Sequence, residues 1–172
     1  MPKRLFTVAL FLLLGLAAFG QARSGGSGET NNAARLWTAG ASLGTCFSAP
    51  WLVITLHGTL SPVDNFFVEL GLDLGFAGRQ EGADYFSLYP FVHYAYFRPF
   101  NEKWGWYAGG GNGFMVSRYR YPEGRVSKNI FAIDLIAGVN ILNMLDVSYT
   151  LRTNFNAASN KISVGYVYRF GK

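Results

Sequence analysis

Apolar and polar positions alternate most regularly near the C-terminal end of the chain. From Leu145 to Phe155 nearly every second side chain is large and apolar, and the residues between them are polar. The same rhythm resumes at Ile162 and runs to Phe170. A period of two is the pleat of a β-strand whose two faces meet different surroundings. The chain is therefore predicted to end in two such strands.

Weaker versions of this pattern predict six more strands from residue 36 onwards. Turn-forming or polar segments separate them, and the longer of these are loops at residues 77–84 and 117–127. An even number of antiparallel strands lets both ends of a barrel lie on the same side of a membrane. The eight predicted strands are residues 36–47, 51–60, 66–76, 85–97, 104–116, 128–140, 145–155 and 162–170.

The volume of the apolar face indicates that it meets lipid. An eight-stranded barrel has an interior just wide enough to be filled by side chains. The apolar face carries many Leu, Ile, Phe and Tyr residues that would overfill this space, whereas the other face is mainly Gly, Ser and Thr. A soluble barrel would need a charged exterior, yet charged residues make up only 15% of the chain. We therefore predict an all-β fold, an eight-stranded antiparallel up-and-down transmembrane β-barrel.

The N-terminal segment has the composition of an export signal. Lys3 and Arg4 precede an apolar stretch, residues 5–19, that is shorter than the ~20 apolar residues of a membrane-spanning helix. An uncleaved anchor helix is the alternative. The expected divisions are a cleaved signal peptide at residues 1–22, a flexible leader at 23–35 and the barrel at 36–172. This organisation predicts the outer membrane of a diderm bacterium.

Ionisable side chains on the inward face predict a charge network in the lumen. Its members are His57, Glu69, Asp73, Asp134, Asp146, Arg152 and Arg169. Turn positions predict three opposed pairs, Asp134 with Arg152, Asp146 with Arg169, and His57 with Glu69. Asp73 has no evident partner in this scheme. Because an unpaired buried charge is costly, we expect an interior that is filled by side chains or tightly gated.

Aromatic residues concentrate near the predicted strand ends. Rings at these positions are typical of the belts that flank the lipid-facing band of outer-membrane barrels. Aromatic residues are also good strand formers, but strand propensity alone would scatter them along the strands. The predicted belts contain Trp37, Phe47, Trp51, Phe76, Tyr96, Trp104, Phe131, Tyr168 and Phe170.

The predicted loop after strand five combines positive charge with tyrosine. Its candidate contact residues are Arg118, Tyr119, Arg120, Tyr121, Arg125 and Lys128. Anionic lipid headgroups or a host ligand could use this charge. The alternative is an ordinary solvated loop, since surface loops commonly carry charge.

Four segments resemble the small outer-membrane β-barrels of the OmpA, OmpX and OmpW type. They are LYPFVHYAYF at residues 88–97, WYAGGGNGF at 106–114, NFFVEL at 65–70 and the ending VGYVYRF at 164–170. The resemblance implies insertion by the outer-membrane assembly machinery, which reads a terminal strand that ends in an aromatic residue. Here Gly171 and Lys172 follow that aromatic residue, Phe170. OmpW-like members imply passage of small hydrophobic compounds, whereas the inward charges are closer to an OmpA-type filled interior.

Catalytic and cofactor chemistry finds little support in the sequence. Some barrels of this size modify lipids with a His and a Ser in a His-x-Ser pattern. Neither His57 nor His93 is followed by a serine two residues later. The two His and the single Cys lack metal-ligand spacing. The glycines at residues 109–113 precede no helix and so do not form a phosphate loop. We expect no catalytic residues, no bound metal and no cofactor.

Three classes of function follow from these features. The first is a structural barrel or a narrow passive pore for small solutes, hydrophobic ones included. The second is a surface protein that binds a ligand or host through its loops, and the third, which has the least support, is a lipid-modifying enzyme. The expected partners are outer-membrane lipids, the barrel assembly machinery and a small solute or host ligand. We expect a monomer that binds no nucleic acid, because no element carries a basic stripe.

Overall fold

Eight antiparallel strands follow one another in chain order and close into a barrel. The computed structural model describes residues 37–47, 50–80, 83–122 and 124–170, with the side chains of 77–80 and 83 excepted. The strands are β1 Thr38–Cys46, β2 Leu52–Val63, β3 Phe66–Gln80, β4 Ala83–Pro99, β5 Gly105–Tyr121, β6 Gly124–Ile141, β7 Leu145–Thr153 and β8 Ala158–Arg169. The predicted signal peptide at 1–22 and leader at 23–35 lie outside the described residues. In the described part of the chain, no helix is long and apolar enough to cross a bilayer.

Closure occurs between the first strand and the last. Ala41 of β1 lies opposite Tyr166 of β8, and the register continues without interruption from Thr38 to Cys46. Along β8 the side chains alternate as the sequence pattern requires. Lys161 and Ser163 are buried inside, whereas the flanking apolar residues face outward. The predicted eight-stranded antiparallel barrel is confirmed.

The barrel wall is much taller on one side than on the other. Strands β3 to β6 have 15 to 18 residues, whereas β1, β2, β7 and β8 have 9 to 12. We call the end that carries Trp37 and Phe170 the proximal end, and the other the distal end. The tall strands extend beyond their neighbours at the distal end, because β5 and β6 remain paired up to Tyr121 and Gly124.

Two predicted loops are therefore wrong. Residues 77–84 and 117–127 belong largely to the distal ends of strands that continue past the apolar band. In the second segment the outward positions carry polar or charged side chains, such as Arg118 and Arg120, so the alternation on which the strand prediction rested disappears. The predicted turn at 61–65 is also shorter than expected. Strand β2 continues to Val63, and only Asp64 and Asn65 form the turn, the latter with a φ of 64°.

The predicted aromatic belts lie on the outer surface. The proximal belt consists of Trp37, Tyr96, Trp104, Tyr168 and Phe170, and the distal belt of Phe47, Trp51, Phe76 and Phe131. All but Phe76 are exposed, and Phe76 packs against Phe86 with ring centroids 5.4 Å apart. A belt at each end of an apolar wall is the arrangement that positions a barrel in a bilayer.

Candidate functional site

Arg152 of β7 lies at the centre of the barrel interior. Its Nε donates to Asp134 Oδ1 at 3.0 Å, and its Nη2 donates to Asp73 Oδ2 at 2.9 Å. Asp134 sits directly opposite Arg152 across the β6–β7 pair, so the predicted pair Asp134–Arg152 is confirmed. Asp73 comes from β3, on the far side of the lumen. One guanidinium group therefore connects two strands that are not neighbours in the sheet.

Asp73 also has a second cationic partner, which corrects the expectation that it lacked one. Lys161 Nζ of β8 lies 2.9 Å from both carboxylate oxygens of Asp73. Thr55 Oγ1 of β2 donates to the same carboxylate at 2.5 Å. Strand register could not reveal these cation contacts, because Lys161 and Arg152 reach Asp73 across the lumen rather than along a ladder.

His93 of β4 links the central ions to the proximal half of the interior. Its Nε2 lies 3.0 Å from Asp134 Oδ2, and its Nδ1 lies 2.9 Å from Glu69 Oε2. An imidazole donates through both nitrogens only when it carries a positive charge. In that state three anions and three cations balance, and they form one continuous chain. We call this chain the lumen network: Glu69, His93, Asp134, Arg152, Asp73 and Lys161.

Two of the predicted pairs are wrong in register. The pair His57–Glu69 is displaced because the turn lies at Asp64 and Asn65, later than the sequence indicated, so that Thr59 lies opposite Glu69 instead. His57 Nδ1 still lies 3.9 Å from Glu69 Oε1, a diagonal contact.

The second wrong pair is Asp146–Arg169. Asp146 lies opposite Gly165, because the turn after β7 spans residues 154–157 and so lies earlier in the chain than the sequence indicated. Asp146 accepts a hydrogen bond from Tyr107 Oη at 2.8 Å. Arg169 donates to Asn140 Oδ1 at 2.6 Å, near the proximal mouth.

Aromatic rings occupy much of the space around the network. The Arg152 guanidinium carbon lies 3.4 Å from the centroid of the Tyr89 ring, a cation–π contact. His93 stacks on Phe91 with centroids 4.3 Å apart. Gly71 lies opposite Phe91, and a Cβ there would overlap the ring. The cavity at the proximal end measures about 50 Å³, which is room for a few water molecules. The described interior is thus filled across its middle, as the sequence predicted.

The candidate contact residues at the distal end are divided between two faces of one sheet. We call residues 117–128 the distal hairpin. Buried Ser117 marks the inner face, and Lys128 lies directly opposite it. By the alternation of the strands, the inner face carries Tyr119, Tyr121 and Lys128, and the outer face carries Arg118, Arg120 and Arg125. The sequence pattern predicted one loop here, whereas the structure places the tyrosines and the arginines on opposite faces of a hairpin.

One edge of the distal hairpin has no neighbouring strand. The pairing of β6 with β7 ends where Ile133 lies opposite Thr153. Among the described residues, none continues the sheet beside residues 124–132 of β6. Most of this segment is exposed, including Val126 at 55%. The hairpin therefore presents the backbone groups of an open edge.

Comparison with solved structures shows which proteins share this architecture. Neisserial surface protein A (NspA) aligns over 77% of this chain and 95% of its own, with 11% identity and a TM-score of 0.59. The N-terminal β-barrel domain of Pseudomonas aeruginosa OprF aligns over 76% and 96%, with 9% identity and a TM-score of 0.60. Ail, the attachment invasion locus protein of Yersinia pestis, aligns over 77% and 97%, with 13% identity and a TM-score of 0.55.

The chain has the fold of a small outer-membrane β-barrel. No protein family matches this barrel by its sequence signature, and no curated protein matches it in sequence. The likeness to the three solved structures is therefore one of architecture, and residue roles follow from the barrel's own contacts. Within its described residues, no group of three or more His, Cys, Asp or Glu side chains is placed to hold a metal ion.

Sequence reasoning missed four partners of the inward carboxylates, namely His93, Lys161, Thr55 and Tyr107. Lys161 was missed because the last strand was predicted to begin at Ile162, four residues later than its actual start at Ala158. A signal was present, since Lys161 shares its parity with the inward Ser163. Tyr107 lies on a strand whose glycines obscured the register.

Proposed function

We propose that this protein is a closed outer-membrane barrel that binds an acidic, extended segment of a partner protein through the open edge of β6. In this arrangement residues 1–22 direct export and are removed. The proximal end, where β1 begins and β8 ends, faces the periplasm, and the tall distal wall faces the exterior. Outer-membrane lipids and the barrel assembly machinery are its other proposed partners.

The observation that carries the proposal is the unpaired edge at residues 124–132. A strand edge with free N–H and C=O groups is a template to which another extended chain can add. Most soluble and membrane proteins cover or shorten such edges. Here the barrel holds the edge beyond the level at which β7 and β8 end, where a partner can approach it.

The positive charges along the β6 edge determine which strands it pairs with favourably. Arg125 and Lys128 are exposed on this segment, and they discourage pairing with a second copy of the same basic edge. Opposite charges on an added strand would instead be favourable, because cross-strand pairs of unlike charge stabilise a sheet. An acidic extended segment is therefore the chemistry that fits.

The lumen network favours a binding role over a pore. A solute that crossed the barrel would have to separate buried ion pairs in which Asp134 and Asp73 are almost fully buried. Removing one member of such a pair leaves an uncompensated charge, which is costly. We infer that the barrel serves as a rigid support and that it is neither a passive pore nor an enzyme.

The solved relatives in fold are consistent with this role. Ail is described as an attachment invasion locus protein, and NspA as a surface protein. Both present the architecture seen here at a bacterial surface. Their names support a surface-binding function for this barrel. The basic β6 edge supports an acidic partner segment.

A peptide-binding measurement tests the proposal. The full mature barrel is refolded in neutral detergent, and a fluorescent peptide of alternating Glu and Val residues is titrated while its anisotropy is recorded. The test variant lacks residues 118–127, with Ser117 and Lys128 joined by an Asn-Gly turn. We expect the intact barrel to bind the peptide and the trimmed barrel to lose most of this binding.

Two controls make the result specific. A Lys-Val peptide of the same length should not bind. The double variant Arg125→Gln/Lys128→Gln should weaken binding of the Glu-Val peptide, whereas Arg98→Gln/Lys103→Gln, with the same charge loss at the proximal end, should not. Equal binding by the intact and trimmed barrels would contradict a role for the β6 edge.

A further inference from the structure

A second feature of the distal hairpin lies on its outer, membrane-facing side. A cavity of about 540 Å³ opens there between β4, β5 and β6, within the size range of ligand sites. Six of its nine lining residues are at outward positions, namely Asp84, Phe86, Arg118, Arg120, Arg125 and Ser127, and the other three, Tyr85, Tyr119 and Val126, are the inward positions between them. We propose that this cavity binds the phosphate groups of an anionic lipid in the outer leaflet.

Depth in the membrane places the arginines at headgroup level. On β5 the outward face is uncharged from Trp106 to Val116, and at a rise of ~3.3 Å per residue and a tilt of ~40° this stretch covers about 25 Å of membrane. That matches the apolar band of an outer-membrane barrel. Arg118 is the next outward residue and lies about 5 Å above the band by the same geometry. The polar headgroup layer begins there.

The arrangement of charge is unfavourable without an anion. Arg120 lies directly opposite Arg125 across the β5–β6 pair, and like charges in this position destabilise a sheet. Asp84, opposite Arg120 on its other side, offsets only one of the three positive charges. Among the described residues, none of the three arginines forms an ion pair. A phosphate between them would relieve the repulsion, and guanidinium groups bind phosphate with paired hydrogen bonds.

Aromatic side chains below the arginines complete a lipid site. Phe86 lies opposite Arg118 across β4 and β5. Phe114 and Phe131 face each other two outward positions nearer the membrane centre, and both are exposed. Acyl chains can pack on these rings while the phosphates meet the arginines. A soluble anion would use the charges but not the rings, so the lipid is the better match.

Lipid retention measured by native mass spectrometry tests this inference. The full mature barrel in neutral detergent is titrated with diphosphorylated lipid A, and separately with the same lipid after removal of its phosphates. We expect the phosphorylated lipid to be retained preferentially. Arg118→Gln/Arg125→Gln should weaken its binding about 30-fold, since each basic residue near a membrane surface contributes roughly a fivefold factor.

The matched control lies on the same strand. Lys128→Gln removes one charge from the inner face, three residues from Arg125, and should leave lipid retention within about twofold, because strand alternation directs this side chain away from the outer face. Arg125→Gln alone should reduce it about fivefold. Each variant must first show the heat-dependent gel migration of a folded barrel.

Three results would overturn the assignment. Equal retention of the lipid without phosphates would show that the arginines do not recognise it. An equal effect of Lys128→Gln and Arg125→Gln would remove the distinction between faces. Displacement of the lipid by millimolar inorganic phosphate would assign the cavity to soluble anions. Arg125 takes part in both tests, but the Glu-Val peptide and the trimmed barrel decide the β6-edge proposal, so its failure can be told apart from failure of the lipid assignment.

Discussion

The barrel interior and the distal hairpin contain the same kinds of side chain but use them differently. In the interior, each cation of the lumen network contacts at least one carboxylate, as Arg152 contacts two. On the outer face of the hairpin, Arg120 faces Arg125 instead. Most members of the lumen network are buried, so their charges must be paired within the protein. The hairpin is exposed, so its charges remain available to other molecules. The contrast separates structural charges from candidate binding charges.

Removing an arginine from each region is the strongest test of this contrast. Arg152→Ala would leave Asp73 and Asp134 buried with fewer partners, and breaking a buried ion pair typically costs about 3–5 kcal/mol. Arg118→Ala removes an exposed charge and should change the free energy of unfolding by less than ~0.5 kcal/mol. Unfolding of both variants by urea in neutral detergent, followed by tryptophan fluorescence, measures the difference. Similar stabilities would mean that the interior pairs are not needed for stability.

Lys161 in the interior and Lys128 on the hairpin allow the same comparison with a smaller expected difference in stability. Lys161→Met removes a buried ammonium, but Asp73 keeps Arg152 and Thr55 as partners. The loss should therefore be about 2 kcal/mol, the scale of a hydrogen bond to a charged group. Lys128→Met, on the inner face of the hairpin, should lie within ~0.5 kcal/mol of the unaltered protein. The same unfolding measurement applies. A Lys161→Met variant as stable as the Lys128→Met variant would show that Arg152 alone satisfies Asp73.

The sequence predicted the barrel and one central ion pair for a physical reason. Lipid on one side and a narrow lumen on the other impose a strict alternation, which can be counted directly. A short turn between β6 and β7 then fixes their register, so Asp134 and Arg152 could be paired correctly. Both predictions depend only on local periodicity and on a connection with little freedom.

Other features depend on information that alternation does not contain. The tall distal wall was missed because outward residues such as Arg118 and Arg120 are charged, so the apolar signal ends while the strands continue. The turn after β7 was misplaced because its tightness depends on Asn154, whose side chain accepts hydrogen bonds from the backbone of Asn156 and Ala157. Phe155 in this turn has a φ of 67°. This left-handed conformation is uncommon for a bulky residue and could not be expected from the residue type.

Contacts across the lumen form a third class that strand register cannot supply. The Asp73–Lys161 ion pair joins β3 to β8, which share no ladder. Only the diameter of the closed barrel brings these side chains within reach of each other. In small barrels, inward charges without a ladder partner should therefore be examined against every inward cation, including those at strand ends such as Lys161.

The smallest signal we expect is ionic current through the barrel. Its measurement shows whether the paired charges of the interior also close the lumen to ions. In a planar lipid bilayer, the refolded protein should show no discrete conductance steps, because the lumen network and the rings of Tyr89 and Phe91 occupy the middle of the lumen. The trimmed barrel without residues 118–127 should be equally silent, since the hairpin lies beyond that closure. Steps in both proteins would show that the interior opens and would favour a narrow pore. Steps only after trimming would instead place the closure in the hairpin, and the two regions would no longer have separate roles.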